Sequence, residues 1–335
     1  MGWWDSAWKT LAEDWVYGWL GPQQVRSSFP TGAVEANASY LNIFLKSARV
    51  VDVRKGLTTF YGVVHSFMKL PHRSLGTAEF NVVTTPDDLK NVDARVDRVV
   101  QVNQRLLGPT PYVGGDLEIE VGLFSVPSSD LAAPYLSLLK SLSNAAGVAF
   151  MTSALPFAGP ILEGVKLLTG GNGTTLEIGL SMTEPAPRQG YCVVMRAPKN
   201  AVPVSNLKLD PSDFRLLDSK GQPIAQYPYL VLEVQSSSKR DDWFQIPDLA
   251  KAYSRVQALY REGNDKDTEA ALQMFRRVAK TCNDLLMEDA DLLANKVASM
   301  YQIVTAAQTG RGVINVPGPA VAVELPDLQK ANLYS

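Results

Sequence analysis

The sequence predicts an α+β protein: a β-sandwich-like domain with inserted helices, followed by a helical C-terminal region. Three observations carry this. Runs rich in β-branched and aromatic residues, punctuated by turn residues at intervals of about eight to twelve positions, fill most of residues 35–245. From Pro247 onward the apolar period becomes helical and stays so. A chain of 335 residues that is 46% hydrophobic and 20% charged also has enough apolar surface to bury a large core.

The first element is expected to be an amphipathic, Trp-rich helix over residues 1–22. Five of the six tryptophans lie in the first nineteen residues, and Trp4, Trp8, Leu11, Trp15 and Trp19 fall on one helical stripe. Gly21-Pro22 stops the segment. A row of indoles exposes a large apolar surface, so these five residues are the expected binding face, for a partner protein or a membrane. Docking on the protein's own core is the competing expectation. The polar face carries Asp5, Glu13 and Asp14 against Lys9, an acidic balance unlike that of membrane-surface helices. Gly2 and Ser6 match the short N-myristoylation pattern, and no secretory signal is read in this segment.

A β-rich domain is expected over 35–200. SYLNIFLKSARVVDV, LTTFYGVVHSFMKL and AEFNVVTT read as strands, and TPDDLKNVDARVDRVVQVNQRLL (85–107) as a helix through Leu89, Val92, Val96, Val99 and Val100. DLEIEVGLFSV is a strand whose Asp116, Glu118 and Glu120 alternate with Leu117, Ile119 and Val121. A helical insertion spans about 129–169. Within it, residues 141–162 carry no charge but hold Pro156 and Pro160, the pattern of a small-residue hairpin inside a domain, with a membrane-inserting hairpin as the alternative. LEIGLSM and YCVVMRAP return to strand, and residues 201–245 add further strands of the same or a second small sandwich. Residues 246–308 form the helical region, with one helix ending at Gly263-Asn264 and then one long or two shorter helices. Residues 309–335 read as an extended tail able to add an edge strand.

Chemistry is sparse. The net charge of −2 supplies no basic face for nucleic acid, and two histidines rule out a three-histidine metal site. Cys192 and Cys282 read as buried thiols of a reducing, cytoplasmic compartment, with peripheral membrane attachment as a variant. Asp116, Glu118 and Glu120 form either a cation-binding row or the solvated face of a strand. In YPYLVLEVQSSSKRDDWF, Glu233 ends a hydrophobic strand downstream of Asp210, Asp213 and Asp218. This segment resembles restriction-endonuclease-like nucleases, which implies Asp and Glu holding Mg²⁺ beside a lysine. Gln235 stands where that lysine is usual, and Lys239 lies four residues on.

The sequence therefore favours a non-enzymatic binding or assembly component that docks a partner protein through the Trp-rich helix and the C-terminal helices. No cofactor or metal is expected. Self-association, a membrane-associating precursor and a metal-dependent nuclease around Glu233 are the alternatives.

Overall fold

The computed structural model describes residues 15–25, 29–51, 54–55, 58–73, 76–84, 99–127, 141, 158–169, 175–198, 200–311, 324–331 and 333–334. Two compact units divide the chain, Met1–Ser238 and Lys239–Ser335. Helix and antiparallel strand are both abundant, so the α+β class holds.

Among the described residues, the first unit contains thirteen strands, of which eleven belong to two antiparallel sheets. They are β1 (Trp15–Trp19), β2 (Gly32–Ala33), β3 (Ser39–Arg49), β4 (Arg54–Lys55), β5 (Thr58–His72), β6 (Gly76–Thr84), β7 (Val99–Tyr112), β8 (Leu117–Pro127), β9 (Thr175–Glu184), β10 (Arg188–Arg196) and β13 (Tyr229–Ser237). One sheet runs β1-β10-β13-β3-β7, with β2 also pairing β10. The other runs β4-β5-β8-β9, with β6 also pairing β5. The two remaining strands, β11 (Lys208–Leu209) and β12 (Leu216–Leu217), pair with each other.

Side-chain alternation explains how these sheets build a core. Ile43 and Leu45 of β3, Val194 of β10 and Leu232 and Val234 of β13 join Met68 of β5, Phe80 of β6 and Ile119, Val121 and Leu123 of β8 in one buried cluster. The opposite face of β10 and β13 presents Tyr191, Val193, Met195, Tyr229 and Val231 to a second cluster. That cluster is closed by Leu207, Leu209, Leu216 and Ile224 from the excursion between the two strands. β10 and β13 are thus buried on both sides, which is why they read as near-continuous hydrophobic runs.

Two helix expectations are corrected here. Residues 15–19 of the expected 1–22 helix form β1, paired antiparallel with β10 from Trp15↔Arg196 to Trp19↔Cys192. A spacing of four is even, so Trp15 and Trp19 share a face in a strand as well as in a helix, and Tyr17 completes the alternation. Trp4, Trp8 and Leu11 lie outside the described residues. Residues 99–107 of the expected 85–107 helix form β7, because pairing with β3 buries Leu106 and Leu107 on opposite faces at once. Residues 85–98 lie outside the described residues. So do most of the uncharged 141–162 stretch and residues 312–323 of the tail. The insertion contributes α1 (Ala158–Thr169), whose Ile161 and Val165 are buried and which lies against β6.

The second unit is helical as expected. α2 (Pro247–Arg261) begins with Pro247 in its first turn, where a missing N–H is harmless. The rest is two helices, α3 (Asp265–Thr281) and α4 (Met287–Arg311). Asn264 caps α3, its side chain accepting from the Asp267 N–H at 3.2 Å. Leu249, Tyr253 and Val256 of α2, Phe275 of α3 and Leu293 and Val297 of α4 are buried within the unit. Among the described residues, no helix is long and apolar enough to cross a membrane.

Candidate functional site

Trp19 and Tyr17 converge on one carboxylate. The Tyr17 hydroxyl donates to Glu184 Oε1 at 2.5 Å and the Trp19 Nε1–H to the same oxygen at 3.1 Å. Burial, with the Cys192 side chain and the Glu184 carboxylate nearby, drives the Tyr17 hydroxyl far above its ordinary range. The Arg188 guanidinium stacks over the Trp19 ring, 4.8 Å from its centre. Both rings are only partly exposed and pack against the shared core cluster. Trp19 is therefore docked within its own unit, and Glu184, at the end of β9, ties β1 to a strand of the other sheet.

Glu233, on which the nuclease resemblance rests, sits in the buried run of β13. It is buried, directly opposite Tyr191 on β10 and Phe44 on β3. The Lys46 ammonium lies 3.1 Å from its Oε2 and donates to Asn103 Oδ1 at 2.6 Å. Lys46 also sits over Phe214, 4.3 Å from the ring centre. Burial and a hydrogen bond to Glu233 push the Tyr191 hydroxyl well above its usual range. The upstream carboxylates serve their own turns. Asp210 accepts from the Ser212 N–H and hydroxyl, Asp213 pairs with Arg215 at 3.0 Å, and Asp218 accepts from the Lys220 and Gln222 N–H groups. Lys239 belongs to the second unit, where it stacks over Tyr334. Among the described residues, no group of three or more His, Cys, Asp or Glu side chains is placed to hold a metal ion. The Lys46–Glu233 pair was missed by sequence reasoning. Its signal was a lone lysine inside the apolar run SYLNIFLKSARVV.

In the acidic row, β8, paired on both sides by β5 and β9, turns Glu118 to water while burying its alternate residues. Leu117, Ile119 and Val121 are buried, whereas Glu118 is exposed and pairs with Lys69 at 3.4 Å. Asp116 precedes the strand and is exposed. The thiol of Cys192 is fully buried, that of Cys282 partly so, and both are free. Burial raises them to about 12 and about 11, which makes them unreactive at neutral pH.

In the helical unit, a groove of about 560 Å³ runs between α3 and α4. Its floor is made of small and aromatic side chains, among them Ala270, Phe275, Ala294 and Ala298. Its rim is polar, with Glu269, Arg276 and Gln302. The outward face of α4 beside it carries Leu292, Ser299, Ile303 and Ala306, all exposed, with Ile303 at 68%. Between Val297 and Gly310 the sequence has no charged residue. That run, in a helix whose other face is already buried, was the available sequence signal for this surface.

The same unit is pinned by a buried polar cluster. The fully buried Arg240 guanidinium donates to Asp242 at 2.6 Å and to the Asp284 carbonyl at 2.9 Å. Tyr334, near the end of the chain, accepts from the Arg240 N–H at 2.9 Å and donates to Asp289 at 2.8 Å. Searches against protein-family models, curated proteins and solved structures returned no match for this chain.

Proposed function

We propose that this protein is a non-enzymatic binding and assembly component, in which the helical unit docks a helix of a partner protein in the groove between α3 and α4. The observation that carries the reading is α4. Its inner face is committed to the core through Leu293, Val297 and Val304, yet its outer face from Leu292 to Ala306 is uncharged apart from the half-buried Lys296. A surface helix whose outer face is nearly free of charge and exposes Leu292 and Ile303 is one that can take a second packing partner. The alanine floor at Ala270, Ala294 and Ala298 lets another helix approach closely, and the mixed-charge rim supplies polar contacts around it. The β-rich unit is the carrier, its two sheets packed as a β-sandwich around their shared cluster. Its compartment is the cytoplasm, consistent with two free thiols.

A photo-reactive residue in place of Gln302 tests this in cells. It should crosslink one discrete partner, and Ala298→Arg, which fills the groove, should reduce that adduct at least about tenfold, the loss of one anchoring contact of about 1.4 kcal/mol. Thermal stability should be unchanged. An adduct indifferent to Ala298→Arg, or no adduct beyond that given by a probe at Glu79 on β6, would refute the reading.

A further inference from the structure

We infer that β1 is the junction of a two-fold dimer, pairing edge to edge with β1 of a second copy of this chain. The argument begins with hydrogen-bond alternation. The Leu20 N–H donates to the Tyr191 carbonyl at 2.9 Å, so that pair is a hydrogen-bonded one. In an antiparallel ladder such pairs alternate, and with the register Gly18↔Val193 and Val16↔Met195 these positions also bond to β10. The N–H and C=O groups of Trp15, Tyr17 and Trp19 consequently point away from β10. Among the described residues, β1 is the last strand on that side of its sheet and no hydrogen bond satisfies those six groups.

Other sheet edges are blunted. At the far edge of the same sheet, β7 carries Pro109, Pro111 and three register irregularities against β3. The edges of the second sheet carry carboxylates, Glu79 on β6 and Glu177 and Glu184 on β9. β1, with the sequence WVYGW, has neither a charge nor a proline. An edge of this composition is a template for another strand.

The identity of that strand follows from the order of residues in β1 itself. An antiparallel pairing centred on Tyr17 sets Tyr17 against Tyr17 of the second copy, and Trp15 against its Trp19, twice over. Every outward-pointing residue then meets an outward-pointing residue, so all six backbone groups on each copy find partners. Aromatic residues meet aromatic residues at the three outward-bonding positions, a pairing that adds to the stability of a ladder. Val16 falls opposite Gly18, a large residue against none. The strand reads alike in both directions at its aromatic positions, which is what a self-complementary two-fold contact demands. The anchoring of Tyr17 and Trp19 on Glu184 holds β1 in place for this pairing and is left intact by it.

Full-length protein is examined by light scattering across a wide concentration range, and by residue-resolved amide hydrogen exchange at both ends of that range. The expected result is a mass rising to twice that of one chain. With it, exchange at Trp15, Tyr17 and Trp19 slows at least about tenfold, while Val16 and Gly18 are protected at every concentration. Trp15→Pro removes an outward N–H at the first position of the strand, where proline is tolerated. It should return the protein to a monomer, whereas Trp15→Phe should not. If Trp15→Pro does not fold, the wild-type exchange pattern decides alone. A monomer at all concentrations overturns the inference, as does a dimer that Trp15→Pro leaves intact, or outward amides whose protection is independent of concentration.

Discussion

His65 sits in β5 with its side chain wholly buried, its Nε2–H donating to Asn81 Oδ1 at 2.7 Å. Burial disfavours the imidazolium and lowers its pKa to about 4, only partly offset by the bond to Asn81. In the unfolded chain the same ring titrates near 6.5, so below that pH the unfolded state takes up a proton that the folded state refuses. The neutral ring costs the fold nothing above pH 6.5. Stability then falls as pH drops from 6.5 to about 4, by about 3 kcal/mol in all, and this contribution stops changing below that. Urea unfolding of wild type and His65→Gln at matched pH values should show the difference between the two curves growing across that window. A difference that is flat with pH would show that His65 is not the group responsible.

At the scale of the element, Gly108 of β7 lies tight against the Leu41–Asn42 backbone of β3. Its φ is +94°, and a Cβ built there would lie 2.1 Å from the Leu41 carbonyl oxygen. Both the backbone conformation and the backbone contact exclude a side chain. Gly108→Ala should therefore cost more than about 2 kcal/mol, read as a lowered urea midpoint with an unchanged slope. By contrast Gly221, also at positive φ, has open space around its Cβ position, so an alanine there meets only the conformational penalty. The elements also show where local pattern misleads. The valines before Leu106 suit either a helix face or a strand, and β7 is decided by its pairing with β3 rather than by anything within 85–107. Trp15 and Trp19, four positions apart, suit both periods, whereas Tyr17 suits only the strand.

At the scale of the whole molecule, the helical unit is closed by the end of the chain. Leu325, Leu328 and Leu333 are buried, the Tyr253 hydroxyl donates to the Pro326 carbonyl at 2.6 Å, and Tyr334 bridges Arg240 and Asp289. Arg240 and Asp289 are both buried, so the tyrosine hydroxyl satisfies a backbone N–H and a carboxylate that are shielded from water. Tyr334→Phe should lower the stability of the helical unit by about 1–3 kcal/mol, seen as an earlier loss of helical circular dichroism on heating. A melting curve superimposable on wild type would mean that Arg240 and Asp289 are satisfied without it.

How much of this was legible beforehand depends on the range of the interactions involved. Pro247 opening α2, Gly263-Asn264 separating α2 from α3, and the alternation of Leu117, Ile119 and Val121 with Glu118 were readable because caps, turns and burial periods act over a few residues. The sequence by itself determined the α+β class and the switch from strand to helix near Pro247, since composition and local period are enough for each. Only the tertiary structure decided that Trp15–Trp19 is an edge strand, that Trp19 docks on Glu184, that Glu233 pairs with Lys46, and that Arg240 meets Tyr334. Those contacts join residues far apart in the chain, up to 187 positions for Lys46 and Glu233. Strand pairing and the burial of charge are settled by such distant partners, and a local pattern carries no record of them.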